Sequence, residues 1–330
     1  MPNQQIHTSG HQEPIISFIL TYYNQPVKML RECIESILAL SLRAYEREII
    51  IIDDGSDTSP MNELLRYDKD IVYIRQHNQG PGLARNIGLQ LAKGQYVQFV
   101  DGDDLLNLSA YEHCLDLVRY NSPDMVVFDK TTRQTKGSTF SDEGPMTGVE
   151  YMRNHNIHGA VWSYIFLRNL TGNLRFSSLI YREDEEFTPQ LLLHARQLYY
   201  TNAKAYVYRT NSASITHKKG NRSKVKMLSD NYQALRSLQA VCASLSTSSE
   251  QSAMQRRIAQ MTMDYIYNII IMTRSRHYLD RKLAIMRRDG LFPLPDKNYT
   301  SKYKWFRRLT NSSFGLKLLV NLLPFMKKER

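Results

Sequence analysis

Cysteine is scarce in this 330-residue chain: Cys33, Cys114 and Cys242 stand far apart, in no close-spaced pattern. That argues against a disulfide framework and a thiolate zinc site, and it suits a reducing compartment. Long apolar runs are missing too. No stretch reaches the roughly 18 uninterrupted apolar residues of a membrane-spanning helix. The longest candidate, Phe314 to Met326, is broken by Lys317, Asn321 and Pro324. Residues 1–13 lack the basic start and apolar run of a signal peptide and read as a flexible lead-in. The glycine turn QGPGLARNIG (79–88) is neither a GxxxxGKS/T loop nor a GxGxxG fingerprint. Acidic residues run short in one region only. Residues 218–330 carry 23 Lys and Arg against 7 Asp and Glu, a balance of +16. Residues 1–217 carry 20 against 25, a balance of −5, so the C-terminal third holds all of the net +11. Such a field favours an anionic partner: a phospholipid surface, a polyphosphate or nucleic acid.

What is present is ordinary for a soluble globular chain: 42% hydrophobic and 23% charged residues. The first half alternates in period. PIISFIL (14–20), EIIIIDD (48–54), IVYIR (71–75), YVQFV (96–100) and DMVVFD (124–129) read as strands. Helical spacing appears in VKMLRECIESILAL (27–40), near 61–67, in PGLARNIGLQLAKG (81–94) and in LSAYEHCLDLVRY (108–120). Strands alternating with helices predict an α/β fold, a mostly parallel sheet with helices on both faces. In that architecture ligands bind outside the carboxyl ends of the strands. The middle is less regular, with a predicted helix at 184–195 and a strand at 201–209. Beyond about 218 the pattern becomes long helices, with STSSEQS (246–252) reading as a linker between two of them.

Chemistry-bearing residues cluster at the predicted strand ends. Asp101, Asp103 and Asp104 follow one buried strand, with only Gly102 between the first two. All-oxygen ligands suit a hard cation such as Mg²⁺ or Mn²⁺, which takes one or two carboxylates and completes its shell with water and phosphates. The bland alternative is a solvated turn whose Asp104 or Asn107 caps the following helix; for Asp104 that capping reading is adopted. Asp53 and Asp54 end a second strand, where an Asp can accept from a base N–H or a ribose hydroxyl, or simply cap a loop. Arg85 and Asn86 fall in the first turn of a helix, whose N-terminus favours phosphate. YREDEEF (181–187) puts four acids at another helix start. They either complement the helix dipole or include a general base. His217 reads as a diphosphate contact or a loop histidine.

Taken in order, ISFILTYYNQ, EIIIIDDGSDTS, NQGPGLARNIGLQLAKGQYVQFVDGDD and YREDEEF resemble the motifs of the family-2 glycosyltransferases, over about residues 14–217. One departure is Thr21, where the family often has Pro. The resemblance implies a GT-A (Rossmann-like) domain and an inverting enzyme of the bacterial surface-polysaccharide type. Its nucleotide-sugar part would be about 14–130 and its acceptor part about 131–217, followed by a basic helical region at 218–330. It implies that Thr21, Tyr23, Asp53, Asp54, Arg85, Asn86 and Asp101 hold the nucleotide. Asp103, with Asp101, would hold Mn²⁺ or Mg²⁺. Asp184 would be the catalytic base, with Glu183 and Trp162 beside the acceptor; a core Trp is the alternative for Trp162. The donor would be a nucleotide-diphosphate sugar, UDP-linked by resemblance, and the acceptor a glycan or a lipid-linked hydroxyl. A cytoplasmic enzyme at the inner face of the cytoplasmic membrane follows from that pathway.

The basic tail allows three readings. Tyr299, Tyr303, Trp305 and Phe306 among Lys and Arg suit stacked bases, a membrane interface, or a helical subdomain with a homodimer face. Nucleic acid is the least favoured of the three. A sugar-nucleotide-binding protein without transferase activity is the remaining alternative, and the acids at Asp103 and Asp184 argue against it.

Overall fold

The computed structural model describes residues 13–135, 137, 139–210 and 220–326. The lead-in is outside this range except for Glu13, and His217 is outside it too. The chain packs as two compact units. One holds the residues up to Pro145, Val161–Arg175 and those from Gln197 to Ser214; the other holds Met146–Ala160, Phe176–Arg196 and the C-terminal helices.

In the first unit, continuous apolar runs become strands that are covered on both faces. β1 (Ile16–Tyr22) is buried throughout and lies parallel between β2 (Arg47–Asp53) and β4 (Tyr96–Asp101). β3 (Ile71–Arg75) pairs parallel with β2 on its other side. α1 (Val27–Leu38) buries Leu30, Cys33, Ile34 and Ile37, one helical stripe. Each such side chain contributes roughly 1.5–3 kcal/mol by leaving water. After β2 come the short α2 (Met61–Leu64) and a single 3-10 turn. α3 (Pro81–Leu91) lies close on β1. A Cβ at Gly88 would stand 2.2 Å from Ile19 Cγ2, so the closing glycine of QGPGLARNIG is a packing requirement.

β5 (Leu105–Leu106), α4 (Leu108–Asn121), β6 (Met125–Thr131), β7 (Asp142–Met146), β8 (Tyr164–Leu167) and β9 (Leu198–Val207) extend the sheet. The strand order is β3-β2-β1-β4-β8-β6-β9-β5, with β7 on β9. The expected parallel character holds for β3, β2, β1 and β4. Beyond them it holds for β6 and β9, which pair parallel, and is broken elsewhere. β8 runs antiparallel to both β4 and β6, and β5 antiparallel to β9, so the sheet is mixed. Only two or four residues long, β5 and β8 are too short for periodicity to reveal, and β7 (DEGPM) is largely exposed and polar.

The second unit departs from the linear boundary expected at 217. α5 (Gly148–Asn154) and α6 (Glu183–His194) pack with α7 (Asn221–Ser244) and α8 (Ser248–Thr273) rather than with the sheet. α6 buries Phe187, Leu191 and Leu192, while Leu179 joins Leu235, Ile266 and Leu283 in the helical core. The segment read as a linker is the start of α8. Thr247 and Glu250 form a capping box, each side chain accepting from the other's backbone N–H, a signal present in the sequence as T-x-x-E. α9 (Arg276–Arg288), α10 (Ser301–Thr310) and α11 (Ser313–Met326) complete the unit. Tyr303 and Phe306 are buried in its core, which removes them from any base-stacking surface. Among the described residues no helix is long and apolar enough to cross a membrane.

Candidate active site

The strand register sets the site in the first unit. Thr21 pairs with Asp101 across β1 and β4, and Tyr22 pairs with Asp53 across β1 and β2, so the two acids flank the carboxyl end of β1. Asp53 is fully buried. Its Oδ1 accepts from Ser56 N–H at 2.9 Å and its Oδ2 from the Tyr73 hydroxyl at 2.8 Å, with Arg75 Nε 3.5 Å away. Burial, helped by Asp53, pushes the Tyr73 phenol up to about 12. Asp54 turns inward. Its carboxylate accepts from Gln76 Nε2 at 2.6 Å, Gln79 N–H at 2.9 Å and Gly80 N–H at 2.8 Å, clamping the turn that opens α3. The next residue, Gly55, has φ +78°, and a Cβ there would lie 2.7 Å from Asn78 N. Glycine is therefore required by both backbone and space.

Arg85 lies one turn further into α3 than expected, in its second turn, where it is buried and reaches Asp101 with Nη2 at 3.1 Å. Thr21 Oγ1 is 3.5 Å from the same carboxylate oxygen. Asn86 follows, half-buried, in the same turn. Tyr23 is half-buried, and its N–H donates to Gln25 Oε1 at 2.7 Å. Asn24, at φ 54°, ties this loop to the one after β2: its N–H donates to Ser56 Oγ at 3.0 Å and its Nδ2 to Asp57 at 3.1 Å.

The three aspartates of the DGDD turn differ in surroundings. Asp101 is the open one; Asp103 is nearly buried and Asp104 fully so. Asp104 does not cap α4. Asn107 holds the cap position, because β5 intervenes between the turn and the helix. Asp104 instead accepts the Arg209 N–H at 2.6 Å. Burial, with like charge from Asp101 and Asp103, pushes its carboxyl up to about 8. Among the described residues no trio of His, Cys, Asp or Glu side chains is grouped to hold a metal. Two hard carboxylates with room left for water and phosphate suit Mg²⁺ or Mn²⁺, so the donor set of Asp101 and Asp103 fits.

Arg209, at the end of the β9 run, carries no motif and escapes sequence reading. Its Nε donates to the Asp103 carbonyl, its Nη1 to the Glu32 carboxylate, and its Nη2 to the Met29 carbonyl at 2.9 Å. One side chain therefore ties the acidic turn to α1. Arg209→Met is expected to lower donor affinity roughly tenfold or more, because each charge-assisted bond contributes about 1.5–3 kcal/mol. Calorimetric titration with the sugar nucleotide measures this, and unchanged affinity would remove Arg209 from the site.

Trp162 braces the turn from behind. It stacks on Tyr206 at 4.6 Å and 15°, under Lys130 Nζ at 5.2 Å. The Tyr206 hydroxyl accepts the Asp101 N–H at 3.0 Å. Trp162 is half-buried in this stack and packs against the core of the first unit.

In the second unit the four acids of YREDEEF separate. Glu185 pairs with the buried Arg257 and with Arg182 at 3.2 Å. Glu186 accepts from the hydroxyls of Ser177 and Ser237. Both serve packing. Glu183 is buried, and the half-buried Asp184 accepts the Glu185 N–H at 2.8 Å. Arg257 also donates to the Ile157 carbonyl at 2.7 Å. Its pKa is pushed down to about 10 by burial, against the opposing charges of Asp264 and Asp184.

Comparison with known proteins agrees with this geometry. Residues 17–171 match the model of glycosyl transferase family 2. The uncharacterized glycosyltransferase YibD of Escherichia coli is 27% identical over 228 residues, 63% of this chain and 65% of YibD, so the match spans just under two thirds of that relative. Among solved structures, S. aureus TarS 1–349 superposes with a TM-score of 0.62 at 16% identity, covering 90% of this chain and 91% of that one. The mannosyltransferase PcManGT of Pyrobaculum calidifontis, solved with GDP-Man and Mn²⁺, gives 0.56 at 13% identity, covering 96% and 89%. With its strand-end acids and mixed sheet, the chain is similar to glycosyltransferase family 2 over residues 17–171 and shares the fold of these solved structures.

Proposed function

We propose that this protein is an inverting glycosyltransferase that moves a sugar from a nucleotide-diphosphate sugar to a hydroxyl of a glycan or lipid-linked acceptor. The observation that carries the reading is the convergence of Arg85, Thr21 and the DGDD turn at the carboxyl edge of β1 and β4. A UDP-linked donor is supported by TarS, which has been solved with UDP-GlcNAc.

In this reading Asp53 and Tyr23 line the base, while Asp54 holds the loop that presents the α3 N-terminus. Arg85 holds Asp101 in place for the ribose and diphosphate. Asp101 and Asp103 would hold a Mg²⁺ or Mn²⁺, which would supply charge neutralisation for the diphosphate. Asp184 takes the proton of the acceptor hydroxyl as its oxygen attacks the anomeric carbon opposite the diphosphate. One displacement then inverts the configuration. Glu183 orients the acceptor. The protein works at the cytoplasmic side of a membrane, where lipid-linked acceptors are found.

A panel of sugar nucleotides with Mn²⁺ or Mg²⁺, scored by thermal shift and hydrolysis, tests this. One nucleotide class should raise the midpoint by several degrees, since ligand at 100 times Kd adds about 2.7 kcal/mol. No shift with any of them would sink the proposal. A shift with no transfer to any hydroxyl acceptor would favour a binding protein.

A further inference from the structure

The last two helices carry more apolar surface than their core uses. α11 buries Gly315, Leu316, Leu319 and Val320. Its opposite face carries exposed apolar residues beside Lys317 and Asn321. Phe314 and Phe325 are 78% and 82% exposed and Leu322 is 48% exposed, and their spacing of eight and three residues forms one stripe along the helix. Soluble proteins rarely leave such a stripe without a partner. α10, joined to α11 through Asn311 and Ser312 and packed against it, buries Tyr303 and Phe306 and turns Lys302, Lys304, Trp305 and Arg308 to solvent. From Lys297 to Lys328 the chain holds eight Lys and Arg and no Asp or Glu.

We infer that α10 and α11 form a docking surface for an anionic lipid bilayer. Phe314, Leu322 and Phe325 enter the boundary between headgroups and acyl chains, and the neighbouring Lys and Arg meet the phosphates. Aromatic side chains favour this depth, and each basic side chain near an anionic surface adds attraction. Charge selects the occupant. A second copy of the chain would bring two predominantly basic surfaces together, with Asp296 on Arg307 as the acid beside them, whereas an anionic bilayer complements them. Nucleic acid is the less suited anion, because the exposed stripe includes the aliphatic Leu322 and two of the aromatic rings, Tyr303 and Phe306, are buried. The inference deepens the membrane-side placement proposed above, but binding is read without turnover, so the two can fail separately.

Co-sedimentation of the full chain with phosphatidylcholine vesicles, with and without phosphatidylglycerol, tests it. The protein should bind the anionic vesicles at least tenfold better than the neutral ones, and 0.5 M salt should weaken that binding. F314S/F325S changes only the exposed stripe and should reduce binding tenfold or more, with an unaltered melting curve and unaltered sugar-nucleotide thermal shift. Lys304→Glu with Arg308→Glu is the second variant and should lose the preference for anionic lipid. Wild-type protein left in the supernatant, or variants that sediment like wild type, would overturn the inference. So would a wild-type dimer that F314S/F325S turns into monomer without change in lipid binding.

Discussion

Replacing Asp184 by Asn is expected to slow glycosyl transfer by roughly 10²–10⁴-fold, the range of a positioned general base, while donor affinity stays at the wild-type level. The choice of Asp184 among four consecutive acids follows the resemblance of YREDEEF to the family's Glu-Asp motif. Glu185 is committed to Arg257 and Arg182, and Glu186 to two serine hydroxyls. Asn keeps the size of Asp184 and an oxygen to accept the Glu185 N–H, so the start of α6 is retained. Donor binding, read by titration with the nucleotide alone, separates base chemistry from misfolding. Wild-type turnover in Asp184→Asn would assign the base elsewhere. Loss of donor binding together with turnover would point to a structural role.

Arg257→Met is expected to destabilise the helical unit by about 3 kcal/mol, the low end for a broken buried pair, because it takes the buried cation from Glu185 and leaves only the more exposed Arg182. Arg257 is almost wholly buried, so solvent screens the pair little. The Ile157 carbonyl loses its donor as well. Arg257→Met with Glu185→Leu should recover a large share of that loss, since an apolar pair of similar volume avoids desolvating either charge. Urea denaturation followed by circular dichroism measures both variants. Equal midpoints for the single and double variants would show that the pair itself contributes little.

Much of this was legible in the sequence. The buried runs of β1, β2 and β4 announce themselves because a strand covered on both faces has no polar alternation, and Gly80–Pro81 marks the start of α3. The acids were legible as a cluster but not as individuals. Sequence spacing does not show that Asp54 faces inward to three donors, or that Asp104 meets the backbone of a residue 105 positions away. Arg209 was invisible for the same reason: its partners are carbonyls and a glutamate on α1, brought near by the return of β9. The two-unit packing escaped because α5 and α6 bury their apolar faces against helices that begin after residue 220. No local pattern encodes which neighbour an apolar face will find.

The pairing of Thr21 with Asp101 and of Tyr22 with Asp53 has a consequence for how this chain can change in length. A strand repeats every two residues, so one residue gained or lost within β1 would turn Thr21 to the other face and misalign both acids together. The loop after β2 is held as well, by Asp54 and Gly55, whereas the turn between α1 and β2 carries no residue of the site. Length variation is therefore confined to turns of that kind, and the spacing from Ile16 to Tyr22 works as a ruler for the chemistry at its end.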